Sequence, residues 1–459
     1  MTGLLGESAE AIRRFQDQRL KHMLSLCRRG HPYYQRRWAE AGIDIGRIEG
    51  IGDLHLLPLT PKQDLMAAPE SFRLICPDLP VYERTLWEVL HTSGTTSDPT
   101  PLYVTTHDYN GYLFLARRVA EISGITRDDV IGNLFPLTQS AMGAYVRAAE
   151  FAYAIGATVC AALTGAKYGH WDNHRSLDDA VDMIERHRVT VLWGLTSFVR
   201  RVLVRAQERK ADFSRLRMCA VTGEASSTAM RDDMRERMRA LGTQAQIIFD
   251  RYGTTESGGL AQCSEEGDWH NPAPEMLYHE VVDPDSGKPL PDGERGWLAI
   301  THLDHRGTVV LRYLVGDIVS IEHGRCPHCG RTGERLVGPV VRTKDLIKVK
   351  GMLINPAVLM ATLDALPGVR EFQVIVTKVD AADPFSMDQI IVRVATSVAG
   401  GGSQDLAGQV TSAIAAAVRV SPKVEFVEAD AIYDPAAQSK AARLVDLRPG
   451  IQAAAGASR

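Results

Sequence analysis

The chain has 459 residues, of which 45% are hydrophobic and 24% charged, and a formal net charge of -4. This size suits roughly two to four packed units, and the near balance of charge argues against nucleic acid or an anionic membrane as a partner. No uncharged run is long enough to span a bilayer, and Met1 to Arg14 lacks the apolar core of a signal peptide, so a cytoplasmic protein is the simplest expectation.

Residues 8–29 predict a helix, with Ile12, Phe15, Leu20, Met23, Leu24 and Cys27 at helical spacing and Gly30 as its end. A shorter helix follows over Tyr33 to Ala41, and Leu57 to Lys62 reads as a rigid, proline-bearing connector. The stretch His91 to Thr105 then packs hydroxyls and one glycine into Thr92 to Ser97. Bare amides and short hydroxyls in such a loop suit an anion such as phosphate. It is not a Walker A loop, because no Gly-Lys-Ser/Thr stands at the required spacing.

Beyond a strand at Leu102 to Val104, short apolar runs alternate with amphipathic helices. Strands are predicted at Val130–Leu134, Thr158–Leu163, Val189–Trp193, Met218–Val221 and Gln246–Phe249. Helices are predicted at Tyr109–Ser123, Gly143–Ala154, Ser176–His187, Phe198–Glu208 and Thr228–Leu241. This alternation predicts an α/β fold with parallel sheets flanked by helices and ligands at the C-terminal strand ends. Past Ser257 the pattern turns antiparallel, with strands expected near Val281, over Trp297–Thr301, Val309–Tyr313 and Ile318–Glu322, and Gly316-Asp317 between the last two. After Thr343 the order becomes β, α, β, β, α, β, a separate α+β unit. The expected domains are 1–343, with a β-subdomain at about 260–342, and 344–459.

Cys326-Pro327-His328-Cys329-Gly330 is a CxxC knuckle, and Cys263 and His270 lie upstream. Three thiolates and an imidazole make the closed shell of structural zinc, so the predicted ligands are Cys263, His270, Cys326 and Cys329, with His328 the rival to His270. Cys27, Cys76, Cys160 and Cys219 read as small core hydrophobes.

The loop at Thr92, Tyr252-Gly253-Thr254-Thr255-Glu256, Gly316-Asp317, Arg342-Thr343-Lys344-Asp345, Lys348 to Gly351 and Ser439-Lys440 occur in that order. Taken together, these motifs resemble the adenylate-forming enzymes (acyl-CoA synthetases, luciferases and adenylation domains), most closely the phenylacetate–CoA ligase branch. The resemblance spans about Leu54 to Arg448.

It implies that Thr92, Ser93, Gly94, Thr95 and Thr96 hold the β- and γ-phosphates of ATP. Gly223 and Glu224 lie along the adenine, and Tyr252, beside Gly253, stacks on it. Thr255 touches the α-phosphate, Glu256 holds Mg²⁺, and Asp317 and Arg342 reach the ribose. The resemblance further implies a mobile C-terminal lid that brings in Lys440 for adenylation, turns about the hinge Lys344, and presents Lys350 and Gly351 to the acceptor. Some members of that branch carry a Cys/His set like the one here.

Two departures matter. Ser97 replaces the usual glycine after the two threonines, with Pro99 retained, and Phe135 to Gly143 replaces a glycine-rich stretch of the phenylacetate branch. The acyl pocket is therefore expected to differ, with Phe135, Gln139, Trp193, Thr196 and Phe198 as its candidates. Plain core residues are an equal reading of these five. The expected activity is an aryl or cyclic acid–CoA ligase using ATP, Mg²⁺ and CoA. The alternatives are an amide-forming ligase like coronafacate ligase, with an amine as acceptor, and a nucleotide sensor without turnover. A homodimer is expected only at the level of the family.

Overall fold

Ser8 opens the first helix, α1 (Ala9–Gly30), by accepting a hydrogen bond from the Ala11 amide, and Ile12, Leu20, Met23, Leu24 and Cys27 form its buried stripe. α2 (Pro32–Ala41) follows at once and ends on Gly42 in the left-handed conformation. The structure, a computed structural model, describes residues 4–92, 99–135, 142–164, 175–223, 226–342, 347–349, 352–354, 356–380, 386–396, 403–433 and 442–448.

Two short helices, α3 (Lys62–Ala67) and α4 (Val81–Arg84), lead to an antiparallel hairpin of β1 (Leu86–His91) and β2 (Pro101–Thr105). Only β2 is predicted from the sequence; β1 leaves Leu86, Trp87 and Val89 exposed, so its apolar residues mark no buried face. Residues 93–98 lie in sequence between these two strands. α5 (Thr106–Ser123) starts from a capping box in which Thr105 and Asp108 satisfy each other's amides.

From there β3 (Val130–Asn133), α6 (Met142–Ile155), β4 (Thr158–Ala161), α7 (Leu177–Arg186), β5 (Val191–Leu195), α8 (Thr196–Glu208), β6 (Met218–Thr222), α9 (Thr228–Ala240) and β7 (Ile247–Arg251) alternate as predicted. The strands form one parallel sheet in the order β4-β3-β5-β6-β7. Every residue of β5 is buried, as expected of a strand covered on both faces. The order reverses between β3 and β5, which places a crevice at their carboxyl ends.

A tight ribbon of β8 (Gly253–Thr254) and β9 (Gly258–Gly259) leads into a six-stranded antiparallel sheet. Its strands are β10 (Ala261–Gln262), β11 (Trp269–His270), β12 (Leu277–Val282), β13 (Gly296–His302), β14 (Tyr313–Glu322) and β15 (Arg335–Arg342), in the order β10-β11-β15-β14-β13-β12. The structure corrects two expectations here. Val309 to Leu311 is not a strand, because its backbone bonds elsewhere: the Val309 amide donates to Phe72 and the Val310 carbonyl accepts from His302. Gly316 and Asp317 lie inside β14 rather than in a turn between two strands, and Gly316 supplies a φ of 90° next to an irregular stretch of pairing.

The connector from α2 is tied to this sheet by Arg312, which is 1% exposed. Arg312 grips Glu280 through two bonds of 2.9 and 3.1 Å and donates to the carbonyls of Leu57 (2.7 Å) and Gly287 (2.6 Å). Thr60 then bonds through its backbone to Arg312 and Leu314, so α3 starts against the head of β14.

The C-terminal part comprises β16 (Ile347–Val349), β17 (Met352–Ile354), α10 (Pro356–Asp364), β18 (Val369–Lys378), β19 (Asp388–Thr396), α11 (Ser403–Val418), β20 (Lys423–Phe426), α12 (Ala429–Ile432) and β21 (Leu444–Asp446). Its four-stranded sheet runs β20-β19-β18-β21. Leu359, Leu363, Phe372, Val374, Val392, Val410 and Ile414 belong to a core separate from the two cores of the preceding residues. Toward α8 and α9 it makes polar contacts: Arg370 pairs with Glu208 at 3.2 Å, Ser227 donates to Asp364 at 2.7 Å, and Arg201 pairs with Asp430. Ala395, Ile432 and Tyr433 join the large core.

Three imidazoles near the join of α2 and the antiparallel sheet are held neutral. Burial pushes His31 and His305 down to about 4 and His302 well below its ordinary value. The unfolded chain regains values near 6.5 and so takes up protons that the folded chain refuses. Stability is therefore full above about pH 6.5 and falls as pH drops through the window toward 4. Melting temperature is expected to fall over this range, and His31→Asn, which can still cap α2, to flatten the slope. A profile that is level from pH 7 to pH 4.5, with no change in His31→Asn, would contradict this reading.

Candidate active site

The end of β7 delivers Arg251 and Tyr252 to the carboxyl edge of the parallel sheet, and the chain turns sharply there. A Cβ at Gly253 would lie 2.6 Å from the Gly258 carbonyl, so only glycine permits the ribbon. The turn is fastened by the Ser257 amide donating to Thr254 Oγ1 at 3.1 Å. Thr255 is left exposed at its tip, while the side chain of Glu256 is only 4% exposed.

Tyr252 Oη donates to Asp317 Oδ2 at 2.6 Å, joining the parallel sheet's edge to the middle of β14. Asp317 in turn pairs in register with Arg342 of β15. The Tyr252 ring leans on Trp269, whose Nε1 donates to the Asp250 carbonyl at 2.8 Å. Asp250 itself is pushed up to about 6 by burial, against a hydrogen bond from Ser226 Oγ.

Of the other predicted nucleotide residues, Thr92 closes the base of its loop. Its amide donates to the Thr100 carbonyl at 3.0 Å and its Oγ1 accepts from the Thr100 amide at 3.1 Å. Gly223 leaves β6 with a φ of 80°. Ser93, Gly94, Thr95, Thr96, Gln139, Glu224, Lys344, Lys350, Gly351 and Lys440 lie outside the described residues, as does the side chain of Arg342. Phe135, Trp193, Thr196 and Phe198 flank the β3–β5 crevice and are all buried; Phe135, Trp193 and Phe198 are part of the large hydrophobic core.

Four side chains that sequence reading left out converge here. Glu256 Oε1 accepts from Tyr313 Oη at 3.0 Å and lies 3.5 Å from Lys62 Nζ. The Glu256 carbonyl faces His302 Nε2 at 2.8 Å, so the neutral imidazole carries its proton there. Arg251 lies over the Trp193 ring at 3.9 Å. None follows from local pattern: Lys62 and Glu256 are 194 residues apart, and Tyr313 and Glu256 are 57 apart.

Cys263, His270, Cys326 and Cys329 come together with their ligand atoms all within 4.8 Å of one another, whereas His328 is exposed outside the group. Cys263 Sγ lies 3.8 Å from Cys326 Sγ, and Cys329 Sγ lies 3.5 Å from His270 Nε2. A tetrahedron with Zn–S of about 2.3 Å and Zn–N of about 2.05 Å has edges of about 3.8 and 3.6 Å, so the donor set fits a zinc ion. The knuckle is shaped by the Gly330 amide donating to the Cys326 carbonyl at 2.9 Å and by a φ of 73° at Gly330. Of the remaining cysteines, Cys27, Cys76 and Cys219 are buried and Cys160 is half-buried. No helix among the described residues is long and apolar enough to cross a membrane.

Two family models match the chain. One described as AMP-binding enzyme matches residues 56–304, just over half of the 459 residues, and one described as AMP-binding enzyme C-terminal domain matches residues 351–448. A phenylacetate-coenzyme A ligase of Thermus thermophilus is 28% identical over 390 residues, covering 82% of this chain and 83% of that one. A phenylacetate-coenzyme A ligase of Escherichia coli is 26% identical over 450 residues, 96% of each chain. A solved 2-hydroxyisobutyryl-CoA ligase in the postadenylation state, in complex with 2-HIB-AMP, superposes with a TM-score of 0.80 at 22% identity, covering 98% of this chain and 92% of that one. The same ligase in its thioesterification state, with CoA, gives 0.62.

Proposed function

The chain belongs to the AMP-binding enzyme family, and from that premise we propose that it activates a carboxylic acid with ATP as an acyl-adenylate and passes the acyl group to the thiol of CoA. Relatives named as phenylacetate-coenzyme A ligases over nearly the full length support both the reaction and the thiol acceptor. The observation that carries the reading is the direct bond from Tyr252 to Asp317, with Glu256 of the following turn bonded to Tyr313 on the same strand as Asp317.

In this reading Tyr252 lies against the adenine and Asp317 accepts from the ribose hydroxyls, each fixed by the hydrogen bond to the other. Thr92 to Thr96 hold the outer phosphates, Gly223 and Glu224 border the base, and Arg342 reaches the ribose. Thr255 meets the α-phosphate. The buried Glu256 carboxylate, steadied by Tyr313 while His302 holds the Glu256 backbone carbonyl, would hold Mg²⁺, which neutralises charge on the phosphate oxygens when bound. Lys62 adds a second cation at the same carboxylate. Phe135, Gln139, Trp193, Thr196 and Phe198 border the acyl group.

We divide the chain into an adenylating part, residues 1–343, and a lid, residues 344–459. The lid brings Lys440 to the reacting carboxylate and later turns about Lys344 to present Lys350 and Gly351 to CoA. The separate lid core supports this, as do the partly exposed ion pairs at its boundary, which are cheap to break and remake. The higher similarity to a ligase in its postadenylation state than in its thioesterification state agrees with a lid seen before it turns. Zinc on Cys263, His270, Cys326 and Cys329 would be structural, since the four donors leave no open position. A reducing cytoplasm suits seven unbridged cysteines.

The test of acceptor is product identity. Purified protein, ATP, Mg²⁺ and a panel of acids are offered CoA or amino acids, and products are identified by mass; an acyl-CoA is expected, and an amide in its place would overturn the thiol assignment. Tyr252→Phe removes the bond to a charged partner and keeps the ring. It is expected to raise the KM for ATP roughly tenfold with kcat little changed. An unchanged KM would remove Tyr252 from the nucleotide site.

A further inference from the structure

Several buried or partly buried arginines of this protein have carboxylates. Arg312 has Glu280, Arg147 has Glu88 and Glu150, Arg217 has Asp129, and Arg306 has Glu83 and Asp304. Arg251 has none. Its Nη1 is shut away from solvent and has no hydrogen-bond partner. Its guanidinium lies flat over Trp193 at 3.9 Å and near Phe151 at 5.4 Å, reaching from β7 across β6 toward β5. Its pKa falls only to about 10, chiefly through burial, so the group is a cation at neutral pH.

A cation held over an aromatic ring without an anion is unfavourable, and a donor shut away from water without an acceptor adds to that cost. Stacking on Trp193 satisfies the face of the guanidinium but not its in-plane donors. Those donors need acceptor oxygens, and the positive charge favours a carboxylate over a neutral carbonyl. The chain itself supplies none among the described residues. Glycine lets the backbone approach the group closely: a Cβ at Gly259 would lie 3.3 Å from Arg251 Nη2. Arg251 immediately precedes Tyr252, and its guanidinium stacks on Trp193, which flanks the β3–β5 crevice, so the group lies beside the region where the acid is expected.

We propose that Arg251 binds an anionic group at the far end of the acid, and that the substrates are diacids whose second carboxylate docks on this guanidinium. This rests on the acyl-adenylate reading and specifies its substrate class. One carboxylate oxygen attacks the α-phosphorus, the bond to the departing pyrophosphate breaks, and the second carboxylate passes through both steps unchanged. A plain aryl or alkyl acid leaves the cation unpaired and is therefore selected against.

Matched pairs test this: glutarate, adipate, isophthalate and terephthalate, each against its monomethyl ester, which keeps one carboxylate and the same length. Pyrophosphate release by the unmodified protein is expected to favour at least one diacid over its ester by roughly a hundredfold in kcat/KM. Arg251→Gln is expected to bring that ratio near one, and Arg251→Lys to lie between. The unmodified protein needs no variant to fold: esters or simple monoacids turned over as well as every diacid would overturn the proposal while leaving adenylation intact. A diacid preference that survives in folded Arg251→Gln would overturn the assignment to Arg251. Release from neither class would sink the adenylation reading, and this inference with it.

Discussion

Lys440→Ala is expected to slow acyl-adenylate formation by roughly two to three orders of magnitude, while transfer from a supplied acyl-adenylate to CoA is much less affected. Two anions, a carboxylate and a triphosphate, must meet in line, and negative charge grows on the α-phosphate oxygens and the departing pyrophosphate. Glu256 is itself an anion, and Lys62 at 3.5 Å from it is already engaged, so neither supplies a mobile positive charge at the reacting carboxylate. In the proposed cycle that charge comes from the lid. The segment following Lys440 is anchored: Arg443 bonds to Asp364 at 3.2 Å and to Glu371 at 2.8 Å and covers the Phe372 ring at 4.6 Å. Asp364 also accepts from Ser227 at the start of α9, so in the proposed cycle the anchor lies at the boundary the lid would remake. Single-turnover measurement of each half-reaction separates the two effects. Equal loss in both would contradict a lid that exchanges one face for another.

The second large effect concerns the Cys/His cluster. Cys326→Ser is expected to lose one bound zinc per chain and to lower stability by about 3 kcal/mol or more, loss of a metal being one of the few single changes of that size. Two of the ligands, Cys326 and Cys329, lie in the connector from β14 to β15, while His270 belongs to β11 and Cys263 directly follows β10. The metal would thus tie the short β10–β11 ribbon, which follows the Glu256 turn, to the strand that carries Asp317. Without it the cluster is three thiols and an imidazole packed together with no compensating charge. Elemental analysis and thermal melting of the variant, with chelator-treated unmodified protein beside it, decide the matter. Zinc retained at full occupancy in Cys326→Ser, or no change in melting after its removal, would contradict the structural role.

Much of the fold was legible because it is written at short range. Capping residues, helical stripes and all-apolar strands such as β5 announce the parallel sheet, and the CxxC knuckle announces a cluster. The errors arose where long-range pairing overrides local pattern. Val309 to Leu311 has strand-like residues, yet its backbone bonds to Phe72 and His302. Gly316-Asp317 has the composition of a turn, yet the bonds of β14 to β13 and β15 carry the strand through it.

The candidate site divides in the same way. Tyr252, Glu256 and Asp317 could be found because a motif order marks them. Lys62, Tyr313 and His302 could not, since their neighbours give no sign that the connector held by Arg312 ends beside Glu256. Arg251 stood in plain view within the motif. Only the absence, among the described residues, of a carboxylate around its guanidinium, which no sequence displays, singles it out.

The central claim is that this protein joins a carboxylate to AMP before any acceptor takes part. Exchange of labelled pyrophosphate into ATP, measured with Mg²⁺ and each acid in turn but without CoA, tests it most directly. Label is expected to enter ATP only when a cognate acid is present, and to do so in the absence of any thiol. Exchange that requires CoA, or that never occurs with any mono- or dicarboxylic acid, would contradict the account.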